Sequence, residues 1–266
     1  MERGLDTLKP ATRWVARRLD VHEVVDSTNA IAETLARAGA PDGTVVIADR
    51  QTAGRGRQGR SFFSPGGRGL YLSLLLRPRM PADQLHHHVF AAAVAVAEAA
   101  AGALPPGLRI EIKWPNDVWV GGRKLSGINL PVQLEGERVA SAVLGVGVNV
   151  NTRIEEFPEE LRGLATSLYA SGGSEVDRAH FAERLLEGLE RWIDRLRAGD
   201  FAGVLEAWRA RLALLGARVR IAGPGVPRPR EGIARGVDSA GALLLETPTG
   251  LERILAGDVN LVSDGS

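Results

Sequence analysis

The stretch "GRGRQGRSFFSPGGRGLYLSLLL", Gly54 to Leu76, decides the fold. Gly54, Gly56 and Gly59 fit the G-x-G-x-x-G dinucleotide fingerprint. Gly54, Gly59, Arg60 and Ser61 come within one residue of a P-loop, with Arg60 where the lysine should stand. Both patterns require the glycine run to open a helix whose N-terminal amides hold phosphate. Here Pro65 and Gly66-Gly67 follow, and then the strand-like "LYLSLLL". No helix can start at Gly59, so both matches are accidental. Two readings survive beside a merely solvated loop: a nucleic-acid-binding segment, or a mobile loop that grips a small anion. A lack of aromatic residues among the arginines weakens the first. Glycine allows close backbone approach, and Arg55, Arg57 and Arg60 can grip carboxylate or phosphate with two parallel hydrogen bonds.

The totals narrow the field further. The 266 residues carry 33 basic and 32 acidic side chains, a net charge of +1 that argues against a nucleic-acid-coating protein. At 44% hydrophobic the chain can bury a sizeable core. It has no cysteine, which excludes disulfides, thiolate metal sites and a cysteine nucleophile. "MERGLDTLKP" has no apolar signal-peptide core, and the apolar run Val89 to Ala97 ends at Glu98, too short to span a bilayer. A soluble cytoplasmic protein, without a membrane partner, is expected. The only lysines are Lys9, Lys113 and Lys124. In so arginine-biased a chain, Lys113 and Lys124 become candidates for positions that need an ammonium.

Along the chain, "DSTNAIAETLARAG" reads as a helix capped by Asp26 or Ser27 and ended by Gly39. "TVVIADRQ" and "LYLSLLL" read as strands, and a long helix runs from about Pro81 to Ala101. Residues 109–151 read as a run of strands with turns near Gly121-Gly122 and Glu135-Gly136. Residues 177–199 form an amphipathic helix, and a second runs from Asp200 to about Leu215. From Ala217 four short strand segments, separated by turns, suggest a small β-barrel. The expected architecture is an α/β (α+β) domain over 1–216 with a small β domain over 217–266. The run His86-His87-His88 does not suit a metal, because consecutive helical side chains point about 100° apart.

Four segments in fixed order carry a resemblance: "DSTN" at 26–29, "QTAGRGRQGRSFFSP" at 51–65, "KWPNDVWVGGRKLSGI" at 113–128 and "GVGVNVN" at 145–151. Together they resemble the biotin protein ligases, also called biotin–[acetyl-CoA-carboxylase] ligases, from about Asp26 to Val262. The resemblance implies a class II synthetase-like catalytic domain, built on a mixed sheet flanked by helices, and an SH3-like β-barrel behind it. It also implies a two-step reaction. The carboxylate of biotin attacks the α-phosphorus of ATP, and a lysine of a biotin carboxyl carrier domain then takes the biotinyl group from the adenylate.

By the same resemblance Arg55 and Arg57 sit in the ligand-gripping loop beside Gly54 and Gly56, and Lys124 faces the carboxylate and phosphate oxygens as a catalytic group. Ser27, Thr28, Asn29 and Gln51 match biotin contacts, and Gly127, Gly145 and Gly147 would let strands approach the bicyclic ring. Arg60, Lys113, Asn116 and Asp117 would serve ATP, Asp117 as a hard oxygen ligand for Mg²⁺. Phe62 stands where the family often has a tryptophan beside the adenine, and Asn149 matches a nucleotide-side contact. Ser27 read alone is as well explained as a helix cap.

Where the family commonly continues the lysine motif with an apolar residue and then an acid, this chain has "NLPVQ"; Asn129 and Pro131 would reshape the pocket wall and the strand ending there. Only about 25 residues precede the "DSTN" helix, so a ligase without an operator-binding domain and without DNA as a partner is expected. Family members pair through an exposed sheet, which makes a homodimer an open expectation. The nearest rival is a lipoate or octanoate ligase, which shares the scaffold but lacks the "GRGRQGR" loop.

Overall fold

A computed structural model of the chain describes residues 4–136, 138–223, 226 and 228–262. In chain order the elements are β1 (Leu19–Val25), α1 (Thr28–Arg37), β2 (Val45–Gln51), β3 (Gly69–Leu76) and α2 (His87–Ala103). Then come β4 (Ile110–Lys113), β5 (Asp117–Val120), β6 (Arg123–Asn129), β7 (Val132–Glu135) and β8 (Arg138–Asn149). Three helices follow, α3 (Leu168–Gly172), α4 (Arg178–Arg197) and α5 (Phe201–Arg209). The chain closes with β9 (Arg218–Ala222), β10 (Arg230–Val237), β11 (Leu243–Thr247), β12 (Gly250–Ile254) and β13 (Asp258–Leu261).

The first sheet runs β1-β2-β3-β8-β6-β5-β4, with β7 pairing with β8 beside it. β1 and β2 are parallel and every other pair is antiparallel, so the sheet is mixed as expected. Strand side chains alternate between faces, and the burial follows that period of two. Val45, Ile47, Leu74, Leu76, Ala142 and Leu144 join the main core with α2, α4 and α5. Their neighbours Val46, Leu75 and Val143 point the other way and pack under α1 with Ala32 and Ala36. Covered on both faces, β2 and β3 read as near-continuous apolar runs.

α2 is buried along Phe90–Ala97, which explains why its apolar residues follow no single stripe. It starts at His87, after a short 3₁₀ turn at Ala82–Gln84, and not at Pro81. Asp177 caps α4 by accepting from His180 N at 2.9 Å. α5 is shorter than the sequence suggests, ending at Arg209, although Trp208 and Leu212 point inward.

The second sheet is antiparallel, in the order β12-β11-β10-β9-β13. The segment "LERILAGDV" holds two strands, β12 and β13, parted at Gly257, whose φ of +129° only glycine adopts readily. This sheet is tied to the first part of the chain. Trp114 Nε1 donates to Gly241 O at 3.0 Å, Arg209 Nη2 donates to Val237 O at 2.7 Å, and Gly216 N donates to Ala234 O at 2.8 Å. The three histidines diverge. His86 reaches Ala240 O, His87 stacks on Phe201, and His88 is buried beside Leu85 O. Burial pushes His87 and His88 down to about 4. Among the described residues no helix is long and apolar enough to cross a membrane.

Candidate active site

The α1 face of the sheet opens where α1 ends its cover. On β8 the valines Val146 and Val148 face the main core, so Gly145 and Gly147 face the opposite way, beside Ser73 and Tyr71 of β3. Gly127 and Asn129 of β6 pair with Gly147 and Gly145 and share that face. Three glycines on one face thus leave a cleft of about 700 Å³, open solvent at its mouth included. Protein atoms fill the space above two of them. A Cβ on Gly147 would lie 2.7 Å from Phe62 Cε1, and one on Gly145 would overlap the amide oxygens of Asn29 and Asn129.

The arginine–glycine loop closes the cleft as a narrow hairpin. Gly56 N donates to Arg60 O at 2.7 Å and Phe62 N to Gly54 O at 2.9 Å, with the turn made by Gly59 at φ +76°. No helix opens from it, which is why the two phosphate-binding patterns fail.

One end of the cleft is cationic. Arg57 Nη1 donates to Asn116 Oδ1 at 2.9 Å, and Arg60 is ion-paired with Asp258 of β13. Lys124 Nζ lies 2.8 Å from Asp117 Oδ1, a Coulombic contact without the alignment of a hydrogen bond. Gly127 leaves the space this ammonium needs, since a Cβ there would sit 3.1 Å from Nζ. Burial holds the Arg57 guanidinium below its ordinary range, against the opposing pull of Asp258 and Asp117. Asn116 and Asp117 belong to the same end through these contacts, and Arg55 also lines the cleft.

The other end is neutral and polar. Thr28 N donates to Gln51 Oε1 at 2.9 Å, Gln51 Nε2 to Ser64 Oγ at 3.0 Å, and Ser64 Oγ to Phe62 O at 2.9 Å. On the opposite side Asn129 Nδ2 donates to Arg55 O at 2.8 Å, and Asn29 Nδ2 donates to Asn129 Oδ1 at 3.0 Å. Main-chain carbonyls at both ends can only accept, which orients both amides. Between them stand three oxygen–oxygen contacts: Gln51 Oε1 to Thr28 Oγ1 at 3.1 Å, Thr28 Oγ1 to Ser73 Oγ at 2.8 Å, and Ser73 Oγ to Asn29 Oδ1 at 2.6 Å. Only the two hydroxyls carry protons, so one contact lacks its proton and an acceptor is left unmet. Ser27 Oγ, in a residue 2% exposed, has no partner either, and it makes no capping bond to α1.

Against known proteins, residues 21–149 match the Biotin/lipoate A/B protein ligase family and residues 214–262 match the Biotin protein ligase C terminal domain. The bifunctional ligase/repressor BirA of Bacillus subtilis is 38% identical over 94% of this chain and 76% of its own. The biotin–[acetyl-CoA-carboxylase] ligase of Mycobacterium tuberculosis is 38% identical over 91% of this chain and 88% of its own. The chain belongs to the biotin protein ligases. A solved biotin protein ligase from Aquifex aeolicus, in complex with biotin and ATP, superposes with a TM-score of 0.78 at 31% identity, over 92% of this chain and 99% of that one.

Within this biotin protein ligase, most residues singled out by the resemblance line the one cleft. They are Ser27, Thr28 and Asn29 at the start of α1, Gln51 at the end of β2, and Arg55, Gly56, Arg57, Arg60 and Phe62 from the hairpin. Asn116, Asp117, Lys124 and Gly127 come from β5, β6 and the turn before them, and Gly145 and Gly147 from β8. Three do not line it. Gly54 is packed against Phe62 O and Ser64 Oγ. Asn149 is buried and donates to Thr166 O at 2.9 Å. Lys113 faces an adjoining hollow with Nζ over the Trp119 ring at 4.6 Å, its pKa lowered by burial. The sequence reading missed Ser73, Tyr71 and Asp258. Ser73 and Tyr71 carry the signal of a polar residue and a tyrosine in an otherwise aliphatic strand, whereas nothing local marks Asp258.

A divalent ion carried by a triphosphate asks the protein for only one or two carboxylates. Asp117 offers one, 18% exposed and lining the cleft, and Asp258 lines the cleft as well. The donor set fits an ion delivered with phosphates; among the described residues no group of three metal-ligating side chains could hold one alone.

Proposed function

We propose that this biotin ligase activates biotin with ATP and passes it to a lysine of a biotin carboxyl carrier domain, using the cleft in two parts. The neutral end takes the ureido ring. Its unmet acceptor suits a ring N–H, and the unpartnered Ser27 hydroxyl suits the ring carbonyl. That pairing of vacant donor and vacant acceptor, buried together, is the observation that carries the reading.

At the cationic end the carboxylate and the α-phosphate, both anions, must meet. Arg55, Arg57 and Lys124 stabilise the charge that gathers there as a carboxylate oxygen bonds to the α-phosphorus and the bond to the β-phosphate breaks. Pyrophosphate leaves. Phe62 offers a ring face to the adenine, and Arg60, Lys113 and Asn116 serve the phosphates. Asp117 would hold Mg²⁺ with them, and the ion supplies charge neutralisation of the triphosphate. In the second step the carrier amine attacks the acyl carbon, the acyl–oxygen bond breaks, AMP departs and the nitrogen loses a proton. The hairpin keeps water from the mixed anhydride in between. We place the division between the catalytic part and the β domain at Gly216–Ala217.

The test is Mg²⁺-dependent exchange of labelled pyrophosphate into ATP with biotin, lipoate, octanoate or no acid. Exchange with biotin alone is expected. Exchange with lipoate or octanoate instead would overturn the substrate.

A further inference from the structure

We infer that Asn129 is a positioning residue that latches the arginine–glycine hairpin over the cleft before any ligand arrives. Asn129 is 9% exposed at the end of β6 and bridges the hairpin to the start of α1. Its Nδ2 donates to Arg55 O at 2.8 Å, inside the hairpin, and its Oδ1 accepts from Asn29 Nδ2 at 3.0 Å, at the start of α1. The network that leaves Arg55 through Asn129, Asn29, Ser73, Thr28, Gln51 and Ser64 returns to Phe62 O, at the far end of the same hairpin. Both strands of the hairpin are therefore held by one chain of contacts, and Asn129 is the link on the Arg55 strand. An apolar residue here, which would fit the wall as well, cannot donate to Arg55 O. Gly145 makes the link possible, because any Cβ there would overlap both amides. The network also crosses the neutral end of the cleft, so a ligand that occupies its unmet acceptor acts on the same contacts that hold the hairpin.

The inference rests on the proposed ligand only for its kinetic arm, and the structural arm uses no ligand. Asn129→Leu and Asn129→Asp are compared with the parent. The second variant keeps the side chain's size and its bond from Asn29, but turns a carboxylate oxygen towards Arg55 O. In ligand-free protein, tryptic cleavage after Arg55, Arg57 and Arg60 and hydrogen exchange at Gly56 and Phe62 are expected to rise about fivefold in both variants, as for loss of one net hydrogen bond. Cleavage elsewhere and Tm should stay near the parent's. In pyrophosphate exchange the KM for biotin should rise by a similar factor with kcat unchanged, because saturating ligand closes the hairpin in either case. Parent-like protection in both variants overturns the latch. So does protection lost in Asn129→Leu but kept in Asn129→Asp, which would mean packing alone. Absence of any biotin-dependent exchange in the parent would overturn the ligand assignment while leaving the proteolysis result to decide the latch.

Discussion

Replacing Ser27 by Ala should raise the stability of the free protein and weaken its grip on biotin. Ser27 stands at the N-cap position of α1, and a serine that caps by side chain loses about 1 kcal/mol on mutation to alanine. Here the hydroxyl makes no capping bond, is buried, and is without a partner. An unmet buried hydroxyl costs the folded state about 1–3 kcal/mol, so its removal should gain about 1 kcal/mol after the lost packing of one oxygen. With an unfolding entropy of about 2.1 cal/mol/K per residue, a chain of this length converts about 1 kcal/mol into about 2 °C of Tm. If Ser27 donates to the ring carbonyl as proposed, the same substitution should weaken biotin binding about fivefold to tenfold. The assay is a thermal melt of parent and S27A without ligand, paired with biotin titration calorimetry. Opposite signs are expected: Tm up, affinity down. A Tm lower by about 2 °C with affinity unchanged would refute the reasoning and return Ser27 to the role of a cap.

Lys124→Met should leave Tm within about 1 °C and lower kcat for pyrophosphate exchange about 10²- to 10³-fold, as for loss of one preorganised charge; a KM effect alone would place Lys124 in binding. Gly147→Ala should push Phe62 off the strand, since a Cβ would stand 2.7 Å from its ring; a rise of about tenfold in the KM for ATP is expected in steady-state kinetics, and an unchanged value would remove Phe62 from the nucleotide site. Glu190, 8% exposed, accepts from the main-chain N–H of Arg13, Trp14 and Val15, and these bonds hold its carboxyl below the usual range against the burial that raises it. Its stabilisation is present above the ordinary glutamate range and lost as pH falls through the lowered value. Glu190→Gln should therefore cost about 3 kcal/mol, about 5 °C, at pH 7 and progressively less in melts below about pH 4.5.

Periodicity made much of the fold legible. The β-branched run at 44–47 and the largely aliphatic run at 70–76 could hardly be other than buried strands, and the stripe of Phe181, Leu185, Leu189 and Ile193 marks α4. The short strands at the C-terminus were harder, because only Leu255, Ala256 and Gly257 separate β12 from β13 and leave no polar gap. In the site, residue types with charge or chemical singularity stood out, Lys124 among thirty arginines above all. Asn129 entered only as a departure. Its meaning lies in a partner 74 positions away, Arg55 O, and no local pattern encodes a contact with a main-chain carbonyl. Asn149 shows the converse: its residue type suits a ligand, yet its amide is spent on Thr166 O.

The ion pair between Arg60 and Asp258 also sets an order in time. About 200 residues separate them, which at ribosomal speeds of roughly 5–20 residues per second is an interval of about ten seconds or more. Until β13 is made, the nascent chain lacks the acid that pairs with Arg60 and draws on Arg57. A chain that ends before β13 therefore lacks one acidic wall of the cleft, Asp258.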